Sequence, residues 1–203
     1  MSFQISILVF DAVEALDFAG PYEVFTTASR VHGRTHADAP ALFDVCCVSC
    51  DGKPIQARAG LRVLPEHGFA DSPPCDVLIV PGGVVDKAMA DPATLDWIAR
   101  TSSTSQITAS VCTGAFLLAA SGVLRDERVT THWEDVADLR ARFPALTVVE
   151  GPRWIDHGAL LTSAGISAGI DMSLHLVARL GGQALAERTA RQMDYRWLMD
   201  GSG

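Results

Sequence analysis

With 203 residues, 48% of them hydrophobic, the chain has room for one well-cored domain and not for two, since a domain runs to roughly 150 residues. Sixteen Lys and Arg against 24 Asp and Glu leave a net charge of −8, which argues against binding nucleic acid or an anionic membrane, both of which need a basic surface, and favours a small-molecule substrate. The apolar start Phe3–Phe10 has no basic flank to make it a signal peptide, no apolar run reaches the roughly 20 residues of a membrane span, and an odd set of five cysteines reads as reduced thiols in the cytoplasm.

The first expected strand is Gln4–Phe10, short and nearly continuous in apolar residues, as befits a strand buried on both faces of a parallel sheet. A helix is expected from about Phe18 to Arg30, with Pro21 near its first turn, where the missing N–H costs nothing. Val31–Ala41 reads as a loop, Leu42–Val48 as a strand, Asp51-Gly52 as a turn and Ile55–Leu64 as a small hairpin. Asp76–Val80 is a second buried strand that ends in Pro81-Gly82-Gly83. Asp91-Pro92 caps a helix to about Thr101, and Ile107–Val111 is a strand. Thr113–Ser121 is a helix closed by Gly122. Beyond it come a helix near Glu134–Phe143, strands near Leu146–Val149, Trp154–Asp156 and Ala159–Thr162, and helices near Ala168–Leu180 and Gln183–Asp194. Strands and helices alternate throughout, which predicts a single α/β domain over residues 1–203 with a mostly parallel central sheet.

The segment most informative about chemistry is Ile107–Phe116, an apolar strand that turns into a helix with Cys112 at the corner. A thiol there faces the unpaired N–H groups of a helix start, which favour thiolate. Gly114 lets the corner close sharply, as in a nucleophile elbow, although Ser110 replaces the first glycine of that pattern; a buried structural cysteine is the competing reading. Pro81-Gly82-Gly83 offers exposed N–H groups, and with the N–H of Thr113 they would form an oxyanion hole. The competing reading there is a plain tight turn. Ligands in parallel sheets bind outside the carboxyl ends of strands, where both loops fall. Asp17 follows the first strand and either joins that edge as a proton donor or caps the next helix.

His132, in Thr130-Thr131-His132-Trp133, is a base, a hydrogen-bond partner or a packed loop residue. His175 reads as a core histidine. His32 and His36 with Cys47 and Cys50 invite a zinc reading, but side chains three apart on a strand face opposite ways, so no metal is expected. Nor does this C-x-x-C open a helix as a thioredoxin-like motif would.

Taken together, Val80-Pro81-Gly82-Gly83, Ser110-Val111-Cys112-Thr113-Gly114, Thr131-His132-Trp133 and Leu161–Asp171 resemble the DJ-1/PfpI superfamily, in order along nearly the whole chain. That resemblance implies a flavodoxin-like three-layer α/β/α sandwich, a cysteine on a nucleophile elbow, a nearby acid and a homodimer. Leu16–Pro21, the elbow and Thr131-His132-Trp133 are most similar to bacterial isocyanide hydratases. This similarity implies a cofactor-free hydration in which Cys112 attacks the isocyanide carbon, Asp17 shuttles protons and Thr113 assists. Gly83 and Thr113 serve the oxyanion, and Gly82, His132, Gly165 and Ile166 line the pocket. The long Val31–Ala41 loop and the ending RWLMDGSG, without a proline-rich tail, depart from those enzymes. PfpI-type peptidases carry a histidine after the cysteine, where this chain has Thr113, which argues against peptidase activity. Some AraC-type regulators carry a similar domain ahead of a DNA reader; this chain stops where the reader would begin. A redox sensor built on an oxidisable Cys112 and a glyoxalase- or deglycase-like enzyme are the alternatives.

Overall fold

A computed structural model describes residues 2–199 and 201; Met1, Asp200, Ser202 and Gly203 lie outside the described residues, and with them part of the RWLMDGSG ending. The strands are β1 (Phe3–Leu8), β2 (Phe43–Ser49), β3 (Ile55–Gln56), β4 (Arg62–Val63), β5 (His67–Gly68), β6 (Val77–Val80), β7 (Ile107–Val111), β8 (Arg128–Val129), β9 (Thr147–Val148), β10 (Trp154–Asp156) and β11 (Leu160–Ser163). The helices are α1 (Ala15–Gly33), α2 (Asp86–Met89), α3 (Pro92–Thr104), α4 (Gly114–Ala120), α5 (Val136–Arg142), α6 (Ala168–Gly181) and α7 (Gln183–Gln192).

Seven strands form the central sheet in the order β10-β11-β7-β6-β1-β2-β5. All its pairings are parallel except β10 with β11. The five longer parallel strands, taken in chain order, follow the flavodoxin arrangement 2-1-3-4-5. Alternate side chains feed two cores. Ile5, Ile7, Val77, Ile79 and Ala109 pack under α1, α6 and α7, whereas Leu8, Val48, Leu78 and Val80 pack under α3, α4 and α5. The short apolar runs of the sequence are therefore strands covered on both faces, and the architecture is the expected α/β/α sandwich.

Several boundaries differ from expectation. β1 ends at Leu8 rather than Phe10, and α1 starts at Ala15 rather than Phe18. Pro21 thus lies within α1, in its second turn, where it cannot donate to the carbonyl of Asp17. α1 also runs on through Gly33, so the loop begins at Arg34. The helix expected to reach Asp194 stops at Gln192. β5, β8 and α2 carry no readable pattern, since elements of two to four residues cannot display a period. As anticipated, Asp91 caps α3, its carboxylate accepting the N–H groups of Ala93 and Thr94.

β1 has β2 on one side and β6 on the other, which makes the β1/β6 boundary the point where strand order reverses. The loops after β1, β6 and β7 all leave from that carboxyl edge. They are tied together: Glu14 N–H donates to Gly82 O at 2.8 Å and Val84 N–H to Ala12 O at 3.0 Å.

Candidate active site

Cys112 directly follows β7, two residues before α4, and its φ of 57° puts it in the left-handed region. Non-glycine residues rarely adopt that conformation, and the contacts around it hold it there. Its N–H points to the carbonyls of Ser163 and Ala164, each at 3.2 Å, and its own carbonyl accepts the buried Thr131 hydroxyl at 2.8 Å. Gly114 is required because a Cβ there would collide with the carbonyl of Val80. The elbow is thus set by close backbone approach between β6 and α4.

Asp17 projects from the first turn of α1 and is fully buried. It does not cap that helix: Glu14 holds the cap position, and Asp17 Oδ2 accepts the N–H of Gly82 at 3.0 Å. Gly82 fits only without a side chain, since a Cβ would lie 2.5 Å from Thr113 N and 3.0 Å from Asp17 Oδ2. The other carboxyl oxygen, Oδ1, has no protein partner. Burial is the main reason the Asp17 carboxyl rises to about 7; the Gly82 hydrogen bond opposes it, Glu14 adds to it, and the neighbouring Cys112 thiol opposes it.

Burial and the neighbouring Asp17 likewise push the Cys112 thiol up to about 12, against the pull of the Thr113 and Ile166 N–H groups at its sulfur. The seven-residue helix α4 does not outweigh them, so the helix start alone does not make a resting thiolate. The thiol keeps its proton near neutrality, and Asp17 is the group that changes protonation there. A thiol beside a carboxylate and a thiolate beside a carboxylic acid are the two arrangements of one pair.

Thr113 and Gly83 are hydrogen-bonded to each other. Gly83 N–H donates to Thr113 Oγ1 at 2.9 Å, and that hydroxyl lies 2.9 Å from Gly83 O. The Gly83 N–H expected at the oxyanion is therefore engaged. The backbone N–H groups directed at the sulfur are those of Thr113 and Ile166. Ile166 presents its N–H from a φ of 44°, an outlier for a β-branched residue.

These residues open on a cavity of about 330 Å³ lined by Cys112, Thr113, Gly83, His132 and Ile166, with Phe116 on its wall. Its rim holds five carboxylates, from Glu14, Asp86, Glu134, Asp135 and Asp138, and two guanidinium groups. Arg58 pairs with Glu14 at 3.3 Å and Arg142 with Asp86 at 3.8 Å. His132 packs its ring on Gly165, accepts the Glu134 N–H through Nδ1 at 3.3 Å and lies 3.3 Å from Asp135. The cavity thus gathers every expected site residue except Gly82, Asp17 and Gly165, which stand directly behind its lining. The acidic rim and the Thr131 brace were not foreseen: Glu134, Asp135 and Asp138 read locally as an acidic helix start, and Thr131 is distant in sequence from the carbonyl it holds. His175 pairs with Asp156 at 2.7 Å, away from the site. Among the described residues, no three His, Cys, Asp or Glu side chains are placed to hold a metal, and all five cysteines are free.

A parallel sheet with a cysteine elbow and a buried carboxyl at its switch point defines a class of cysteine-centred α/β proteins. The chain belongs to one of its families: residues 3–179 match the DJ-1/PfpI family. It is 36% identical over 196 residues to an isonitrile hydratase of Pseudomonas putida, covering 96% of this chain and 79% of that one. It is also 32% identical over 163 residues to the HTH-type transcriptional regulator CdhR of Pseudomonas aeruginosa, over 80% of this chain but only 47% of the regulator. Among solved structures, a ThiJ/PfpI family protein from Pseudomonas syringae superposes with a TM-score of 0.83 at 29% identity, over 96% of this chain and 76% of that one.

Proposed function

We propose that the protein is a cofactor-independent, cysteine-dependent enzyme that hydrates an isocyanide to an N-substituted formamide. The observation that carries this reading is the buried pair of Asp17 and Cys112, with the carboxyl at about 7 and so able to take or give a proton near neutrality. The similarity to an isonitrile hydratase over nearly the whole chain supports it.

In the proposed sequence the thiol proton passes to Asp17 as Sγ adds to the terminal carbon of R–N≡C. The carbon takes that proton back, giving the thioimidate R–N=CH–S–Cys112. Asp17 next removes a proton from water as the water oxygen adds to this carbon, and the nitrogen is protonated. The C–S bond then breaks, releasing R–NH–CHO and returning the thiol. The N–H groups of Thr113 and Ile166 stabilise negative charge on sulfur during attack and departure. Gly83 and the Thr113 hydroxyl hold the loop that positions these donors, which gives both a supporting part in oxyanion stabilisation. His132, backed by Gly165, forms one wall of the substrate pocket and Gly82 anchors the acid.

The homodimer belongs to the same proposal. Val84 and Ile166 at the cavity, with Leu16 and Trp133 nearby, are exposed apolar groups that a second copy would cover, and sedimentation velocity checks it. The similarity to transcriptional regulators favours one second reading, a ligand- or redox-sensing domain. Steady-state assay with an alkyl isocyanide, beside methylglyoxal and the variants Cys112→Ser and Asp17→Asn, separates the two. Formamide production that falls by orders of magnitude in both variants supports the hydratase. Absence of turnover in the parent protein, with Cys112 oxidised faster than the other cysteines, moves the assignment to a sensor.

A further inference from the structure

The chain carries a net charge of −8, yet one cleft far from Cys112 in sequence is lined by cations. It lies between the end of α1 and α7, has a volume of about 340 Å³, and is bounded by Val31, Arg34, Thr35, Arg188, Arg191 and Gln192. Arg188 and Arg191 stand three apart on α7 and so share one face. Arg34 reaches from just past the end of α1 and is oriented by Gln192, donating to its Oε1 at 2.9 Å.

Among the described residues none of these three arginines makes an ion pair. By contrast Arg30, one turn earlier on α1, is paired with Glu23 at 2.9 Å. Next to the cleft the rings of His32 and His36 stack at 4.0 Å. Burial, then His36 and Arg188, lower the His32 imidazole from its ordinary value. The three guanidinium groups line one cleft with no carboxylate among its lining residues. Their planar forks match the oxygens of phosphate, and their number suits more than one negative charge.

We propose that this cleft binds a small phosphate-bearing anion of the pyrophosphate type, held by Arg34, Arg188 and Arg191. The site is separate from the hydratase reading and stands or falls without it. The test is calorimetric titration of the full chain with pyrophosphate, beside inorganic phosphate and sodium chloride at matched ionic strength. Saturable one-site binding of pyrophosphate, weaker for phosphate and absent for chloride, is expected. Arg188→Gln with Arg191→Gln should weaken it by about tenfold or more, while Arg30→Gln leaves it unchanged. Arg34→Gln, at the end of α1, repeats the test should the double variant not fold. Heats that never saturate, binding that survives all these substitutions, or retention of duplex DNA without pyrophosphate binding would each overturn the proposal.

Discussion

Asp17 is buried beside a thiol with one oxygen bonded to Gly82 and the other without a protein partner, so its charged form opposes folding. Its folded pKa, about 7, lies above the ordinary value of 3.8. Between those two pH values the folded protein holds a proton that the unfolded chain has released, so stability falls as pH rises through this window and the penalty is complete above about 7. Asp17→Asn removes the ionisation. It should stabilise the protein at pH 8 by an amount of the order of 2–4 kcal/mol, with the gain shrinking towards pH 4, while turnover is lost. Thermal melts of both proteins across that range check it, and a gain independent of pH would assign the effect to something other than ionisation. The same substitution removes the carboxylate that helps hold Cys112 at about 12. The thiol pKa should therefore fall, and alkylation by iodoacetamide at pH 8 should speed up. A thiol that titrates higher or reacts more slowly in Asp17→Asn would contradict the coupling of the two groups. In the parent enzyme Asp17 must be ionised to accept the thiol proton, so kcat/KM should climb with pH through about 7.

The elbow is a property of two elements, β6 and α4, rather than of Cys112 alone. A methyl group at Gly114 would run into the Val80 carbonyl, which belongs to a central strand with no freedom to retreat. Gly114→Ala should cost about 3 kcal/mol or more and displace Cys112 from the Thr113 and Ile166 N–H groups. Denaturant unfolding measures the first effect and alkylation of Cys112 in the folded protein the second. A variant as stable as the parent with unaltered alkylation would show that Gly114 does not set the corner. This corner was legible in the sequence because its determinants are adjacent: an apolar strand, the cysteine, and a glycine two positions on. The start of α1 was not legible. A proline is ordinarily tolerated only in the first turn of a helix, which for Pro21 pointed to a start near Phe18. Here the preceding loop is fixed by contacts from Ala12 and Glu14 to Gly82 and Val84, which turns the chain into the helix already at Ala15. That early start places Asp17 in the first turn facing Gly82, whereas the sequence alone also allowed it to cap.

Across the whole molecule, the order of the five parallel strands and the meeting of three loops at one edge depend on pairings between residues far apart, which no local pattern encodes. The motif order along the chain supplied them through resemblance. The carboxy-terminal segment shows the same dependence most plainly. Asp171 is fully buried near the start of α6. Its carboxylate accepts Arg153 Nε at 2.6 Å, the Tyr195 hydroxyl at 3.1 Å and the Leu198 N–H at 3.0 Å. Trp197 Nε1 donates to its carbonyl at 3.1 Å, and Arg153 N–H to Gly201 O at 2.6 Å. Arg153 is thereby committed to this clasp rather than to the lining of the Cys112 cavity. One buried carboxylate thus fastens α6, the strand entered at Trp154 and the segment after α7 to one another. Asp171→Ala would leave the Arg153 charge without its partner and free the segment, so it should destabilise the protein by about 3–5 kcal/mol. Tyr195→Phe removes a single neutral donor and should cost only about 1 kcal/mol. Limited proteolysis distinguishes a clasp from general weakening. In Asp171→Ala, cleavage between Asp194 and Gly201 should precede any cut within the sheet, and a variant that melts within about 1 kcal/mol of the parent, with an equally resistant carboxy terminus, would show that the segment is held by something other than Asp171.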